Sequence, residues 1–333
     1  MDSPEIVAPA GNLASLKAAI ESGADVVYAG FNDSTNARNF EGLNFTQADF
    51  EDGVEYVRRK GKKIYIAVNT FPQMDDSSIW QGAVDRAASL CVDAVILADM
   101  SLLDYASSTY PDLNLHLSVQ ASASNFESIN FYRNEFGIKR VVLPRVLTID
   151  EIKRLHEQTD VELEVFALGG LCINIEGRCY LSSYVTGAST NTEGVCSPSR
   201  FVQFTNDDDG ALAISLNGVT LNRLAPDESA PYPTCCKGRY RLPDGSVAYA
   251  FEDPESLNVL EILPGLIDAG VSALKIEGRQ RTKSYVAATV GLLREAIDAY
   301  GDNPESYRVS VEWKETALRN FEGSSETVGC YEG

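Results

Sequence analysis

Residues 5–30 read EIVAPAGNLASLKAAIESGADVVYAG. An apolar run at 5–8 gives way to Gly11-Asn12, then to residues 13–21, where Leu13, Leu16 and Ile20 recur at helical spacing. A second apolar run follows at 26–30. This is strand, helix, strand, with Asn12 placed to cap the helix. The unit repeats along the chain. Strands are predicted at 63–69, 94–98, 113–119, 140–143 and 162–167, and helices at 48–60, 78–90, 102–107, 128–136 and 149–158. Thr46, Asp76 and Thr148 stand at helix openings. An eighth strand at 273–276 and a helix at 284–300 complete the series. Eight such units on short connections specify an α/β chain folded as a (β/α)8, TIM-like barrel. An open doubly wound sheet is the rival, and the G-x-G-x-x-G that would mark it is absent after the first strand.

The rhythm breaks once, between the seventh and eighth strands. The expected organisation is barrel strands 1–7 over residues 1–167, an insertion over 168–256, strand 8 with closing helices over 257–301, and a polar tail without clear elements over 302–333. Inside the insertion, strand-like runs at 200–205 and 212–217 flank a turn at 206–210. Loops that follow barrel strands build the face where active sites sit, so the insertion is expected over the barrel mouth.

Five of the seven cysteines fall in this segment: Cys172, Cys179, Cys196, Cys235 and Cys236. Thiols that merely pack are scattered, whereas a cluster beside glycines suggests a shared ligand. Four thiolates suit an iron–sulfur cubane. Zinc is the direct alternative, although the paired C-x2–4-C knuckles usual for zinc are missing. Structural or redox thiols are a third reading. Spacing alone does not choose between Cys235 and Cys236. Cys91, at a helix end, reads as a core residue and Cys330 as a surface thiol.

The chain has 333 residues, 44% of them hydrophobic and 23% charged, which is ordinary for a globular protein. Its start, Met1-Asp2-Ser3-Pro4-Glu5, does not read as a secretory signal, and its apolar runs are strand-sized. A cytoplasmic location is therefore expected, where thiols stay reduced. The formal net charge of −20 repels polyphosphate and anionic lipid and argues against a generic nucleic-acid binder.

A second constellation lies where strands end: Asn36 and Arg38 after strand two, Asn69 after strand three, Gln120 and Ser122 after strand five, Arg145 after strand six, and Lys275, Glu277 and Arg279 at strand eight. Three arginines converging on one mouth suit a small anion, and the guanidinium fork suits a dicarboxylate. The alternative for each arginine is an ordinary pair with a neighbouring acid. His116, inside strand five, reads as a core or wall residue, and His156 sits in a polar helix. Glu164 and Glu176 flank the first cysteine and offer only a weak case for acid–base work. No G-x-S-x-G, H-E-x-x-H or Walker pattern appears.

The block from Glu164 through Gly169-Gly170-Leu171-Cys172 to Gly177-Arg178-Cys179-Tyr180 resembles the signature of the collagenase-like peptidase family U-32. Pro9-Ala10-Gly11-Asn12, Thr35-Asn36-Ala37-Arg38, Ser118-Val119-Gln120-Ala121-Ser122, Leu143-Pro144-Arg145, Cys236-Lys237-Gly238-Arg239-Tyr240 and Lys275-Ile276-Glu277-Gly278-Arg279 are similar to its ubiquinone branch. That resemblance implies oxygen-independent hydroxylation of the aromatic ring of ubiquinone precursors rather than proteolysis. It implies a [4Fe–4S] cluster on Cys172, Cys179, Cys196 and Cys236, with prephenate as hydroxyl donor. It further implies a heterodimer with UbiV and a lipid-binding, UbiT-like protein that supplies the quinone precursor. An RNA-hydroxylating relative is the alternative, a peptidase ranks last, and a scaffold carrying a structural cluster is a further possibility.

Overall fold

The structure is a computed structural model that describes residues 3–40, 42–72, 76–174, 179–190, 195–207, 209–323 and 325–333. Eight parallel strands close a barrel. They are β1 (Glu5–Pro9), β2 (Val26–Gly30), β3 (Lys63–Val68), β4 (Ala94–Leu97), β5 (Leu115–Leu117), β6 (Arg140–Val142), β7 (Glu162–Gly170) and, late in the chain, Ala273–Ile276. The last pairs on one side with β1, Val7 opposite Lys275, and on the other with β7, Lys275 opposite Phe166.

Strand parity sorts the side chains. Ile6, Val27, Ile66, Val95 and Leu117 face outward into the main core, packed beneath the helices. Val7, Val26, Tyr28, Tyr65, Ala67, Ala94, Ile96 and Ala273 form a separate inner cluster. Helices α1 (Leu13–Glu21), α2 (Gln47–Arg59), α3 (Ser78–Ser89), α4 (Met100–Thr109), α5 (Phe126–Phe136) and α6 (Ile149–His156) follow their strands in turn. Asn12 caps α1, while Thr46 and Thr148 close capping boxes with Asp49 and Glu151. Asp76 stands one residue ahead of the N-cap Ser77 and accepts from the Ser78 amide.

Strand five is shorter than its apolar run predicts. Ser118 accepts from the Gln120 amide and starts a 3-10 turn over Val119–Ala121, which ends at Ser122 in the left-handed region (φ 55°). Hydroxyl-to-backbone bonding of this kind competes with the ladder.

The insertion leaves the barrel after β7. It holds α7 (Tyr180–Thr186), a three-stranded antiparallel sheet of β8 (Val202–Asn206), β9 (Leu212–Leu216) and β10 (Val219–Leu224), and the hairpin β11 (Arg239–Arg241) with β12 (Val247–Tyr249). The expected run at 200–205 opens with a 3-10 turn over Ser199–Phe201, and the strand begins at Val202. Asp208, in the predicted 206–210 turn, lies outside the described residues. Strand β13 (Glu255–Asn258) returns the chain to the barrel, pairing antiparallel with the end of β7. It straddles the expected boundary at 256. Helix α8 (Leu263–Asp268), the barrel strand β14 (Ala273–Ile276) and the long helix α9 (Lys283–Asp302) follow.

The tail is not featureless, which corrects the expectation for 302–333. It forms α10 (Val311–Asn320) and β15 (Ser325–Thr327), and β15 adds to β13. Tyr331, buried, donates its hydroxyl to the Phe166 carbonyl at 2.7 Å. A three-residue strand whose partner lies far back in the chain leaves no periodic signal. Among the described residues no helix is long and apolar enough to cross a membrane.

Candidate functional site

Two cavities meet at the barrel mouth. The inner one, about 50 Å³, is lined by Tyr28, Asn69, Ser118, Gln120, Phe166, Lys275 and Arg279, together with Arg38, Arg145 and Glu277. The last three also line the outer chamber, of about 540 Å³. Every cation predicted for the mouth is present there.

Burial and neighbours set the character of each group. Arg279 is buried and donates to Asn36 Oδ1 at 2.7 Å. Burial lowers its pKa to about 10, so it stays cationic at neutral pH. Asn36 does not line the cavity; its side chain donates to the Phe31 carbonyl and Asn44 Oδ1, and so holds Arg279 from behind. The close approach requires Gly30, because a Cβ there would stand 2.4 Å from Asn36 Nδ2 and 2.8 Å from Arg279 Nη1. Ser122 is not among the lining residues; its place is the end of the 3-10 turn. Gln120 is buried, and its Oε1 lacks a hydrogen-bond partner. Arg38 lies 3.9 Å from Glu277, and the Arg145 guanidinium stacks 3.5 Å from the Phe166 ring centre.

Below the mouth the barrel is charged. Lys275 Nζ lies 2.6 Å from Glu164 Oε1 and 3.9 Å from the Tyr28 ring centre. Arg140 reaches Glu164 at 3.3 Å, Glu5 at 2.7 Å and Glu162 at 2.6 Å. Glu164, fully buried, therefore bridges two cations, which gives it a structural tie rather than a reach to the mouth. Burial pulls the Lys275 pKa down even beside Glu164. It holds His116 well below its ordinary value, neutral, edge-on to Tyr65 at 4.7 Å. His116 is thus an interior wall residue and His156 lies at the end of α6. Glu176 lies outside the described residues.

The outer chamber collects the thiols. Cys172, Cys179, Cys196 and Cys236 line it, and Cys235 does not. Cys235 packs instead with Leu216 and Leu221 in the small core of the insertion. All seven cysteines are reduced thiols, and Cys91 is exposed rather than a core residue, as is Cys330. Cys91 closes the end of α3 with positive φ (51°), which turns it outward.

Burial pushes Cys196 and Cys236 up to about 12; Arg38 opposes the shift at Cys196 and its neighbouring thiols add to it, while at Cys236 Thr234 opposes and Glu252 and Cys172 add. Thr234 Oγ1 lies 3.0 Å from Cys236 Sγ, and Asn174 Nδ2 donates to Cys179 Sγ at 3.6 Å. Among the described residues no three Cys, His, Asp or Glu side chains draw in to a metal-holding arrangement, so the four thiols share a chamber without closing on one centre. The donor set itself, four sulfurs in one cavity, fits a four-thiolate metal or iron–sulfur group.

Sequence reasoning missed several walls. Tyr28 and Phe166 follow from strand parity, two residues from inward-facing Val26 and Glu164. Lys237, buried, pairs with Glu322 at 3.0 Å, and Glu322 also accepts from the Tyr232 amide at 2.7 Å. Nothing local in the sequence marks Glu322, because the tail reaches the chamber only through the fold.

The chain matches the Peptidase family U32 over residues 11–328. It is 33% identical over 330 residues to "tRNA hydroxylation protein P1" of Bacillus subtilis, which spans 96% of this chain and 71% of that protein. "Uncharacterized protease MJ0090" of Methanocaldococcus jannaschii is 32% identical, over 98% of this chain and 72% of that one. "tRNA hydroxylation protein P" of Haemophilus influenzae is 32% identical, over 89% and 67% respectively.

Proposed function

Since the chain belongs to peptidase family U32, we propose that it is a hydroxylase of that family. Its substrate is an RNA base, and the hydroxyl comes from prephenate rather than from molecular oxygen. One observation carries the reading. Four thiols line a chamber that shares Arg38, Arg145 and Glu277 with a cation-rich pocket at the barrel mouth. His116 is buried against Tyr65 and is not placed to activate a nucleophile.

Cys172, Cys179, Cys196 and Cys236 would hold a [4Fe–4S] cluster, which supplies one-electron chemistry when bound. Arg279, fixed by Asn36, with Arg38 and Arg145, gives a dicarboxylate two or more cationic contacts at the mouth. Gln120 Oε1 adds an acceptor for a hydroxyl of the donor. Lys275, tied to Glu164, sets a positive floor beneath it. Phe166 forms an apolar wall of the same pocket.

The relatives named for tRNA hydroxylation, aligned over nearly the whole chain, support RNA as the substrate. A second reading keeps the ubiquinone precursor as substrate, in the manner of UbiU with UbiV and a UbiT-like carrier. The net charge of −20, which opposes a polyphosphate partner, favours it.

Purified without air, the protein is expected to be brown and to hold about four irons and four sulfides per chain. Cys172→Ala should abolish both colour and activity. A deletion strain that loses a hydroxylated nucleoside while keeping its quinones supports the RNA reading, and the opposite pattern supports the quinone reading. Zinc in place of iron defeats both.

A further inference from the structure

We propose that a third cavity, on the outer flank of the chamber, receives a nucleobase turned out of an RNA strand. The inference rests on the RNA reading above and adds the route by which the base enters.

This cleft, about 1060 Å³, lies between the segment that follows β2 and the start of the insertion sheet. Phe40, Phe204, Tyr232, Pro233 and Gln280 line both it and the thiol chamber, so one opens into the other. Phe204, on β8, keeps 57% of its surface exposed, so its ring is open to a partner in the cleft. Phe40 and Tyr232, on different segments, present two more rings to the same space.

Charge and polarity agree. The chain has 48 acidic against 28 basic residues, yet no Asp or Glu is among the residues lining the cleft, and Arg200 is. On a chain of net charge −20, a lining without carboxylates is a place where a polyphosphate can approach. At the inner end Gln280 Oε1 is buried without a hydrogen-bond partner. A carboxamide offers a donor and an acceptor side by side, which matches the paired groups on a pyrimidine edge.

A base that reacts must leave its stack, and every base has a face that stacks on an aromatic ring. Aromatic rings at the entrance and an amide at the inner end form the sequence of contacts such a base needs. A backbone-only contact would require a cationic groove, and Arg200 is the cleft's one cation among the described residues.

The test uses transfer RNA isolated from cells lacking the gene, added to air-free holoprotein. Phe204→Ala is expected to weaken RNA binding roughly five- to 150-fold, the loss of one base-stacking contact. Phe204→Trp should retain binding. Iron content should not change in either. The slope of log Kd against log salt should also be unaltered in Phe204→Ala, because no phosphate contact is removed. Gln280→Leu should reduce turnover of bound RNA more than its affinity. If the parent binds this RNA and Phe204→Ala binds it equally well, the cleft assignment fails while the RNA reading stands. If the parent neither binds nor modifies RNA, the RNA reading fails and takes the cleft with it.

Discussion

Glu164→Gln is predicted to be among the most destabilising single changes in this protein, although it alters only one carboxyl group. Glu164 is fully buried, 2.6 Å from Lys275 and 3.3 Å from Arg140. At an effective interior dielectric of about 20, the Lys275 attraction alone is worth about 6 kcal/mol before desolvation is subtracted. Removing one partner of a buried pair commonly costs about 3–5 kcal/mol, because the other charge stays buried. Arg140 keeps Glu5 and Glu162, so the penalty falls on Lys275, and the amide oxygen of Gln still accepts one hydrogen bond. About 3 kcal/mol is therefore expected. Lys275→Met in the same chain removes the stranded cation, and the double variant should lose only about 1–2 kcal/mol, less than Glu164→Gln alone. Urea unfolding followed by far-UV circular dichroism, with a common slope, measures all four forms. A single-variant cost under about 1 kcal/mol, or a double variant equal to the sum of the singles, would refute the assignment.

Cys235→Ala should keep iron content and cost about 1 kcal/mol, as trimming a small buried side chain does, whereas Cys236→Ala should lose the metal; metal analysis beside thermal unfolding separates them. Tyr331→Phe removes a buried hydroxyl-to-carbonyl bond to Phe166 and should cost about 1–2 kcal/mol by urea midpoint. Brief alkylation of the folded apoprotein, read by peptide mass spectrometry, should label exposed Cys91 and Cys330 first and buried Cys235 last. Gly30→Ala should leave a folded protein with Arg279 displaced, seen as activity lost with an unchanged circular dichroism spectrum.

The barrel was legible because most of its strands are short apolar runs, β5 being cut short by its 3-10 turn, and several helices carry an apolar stripe behind a cap such as Asn12 or Thr46. Arg38, Asn69, Gln120, Arg145, Lys275, Glu277 and Arg279 were legible because strand ends face the mouth in this architecture. Asn36 and Ser122 share that address yet point elsewhere, since a strand-end position does not specify which way a turn directs its side chain. Only part of the insertion came through: the runs at 200–205 and 212–217 foreshadow β8 and β9, while β10 and the β11–β12 hairpin escaped that reading. The insertion's strands are short, and Val202–Asn206 is exposed over four of its five residues, so alternation is weak. The tail escaped it as well, because β15 and Glu322 gain their roles from partners at β13 and Lys237 that only folding brings near.

The barrel's closing strand is synthesised late. Strand β14 zips between β1 and β7, yet roughly a hundred residues separate it from β7, which at about 5–20 residues per second is several seconds or more of ribosomal travel. Until it emerges, β1 and β7 lack the strand that pairs with both, and unpaired strand margins are templates for sticking to other chains. The thiol-bearing segment emerges in the same interval, before the wall that will shelter it exists. Biogenesis of this protein is thus a race between closure of the sheet and capture of its edges. Chaperone demand and oxidative damage should both concentrate in that short period, and slowing translation downstream of residue 170 should lower the yield of the native form.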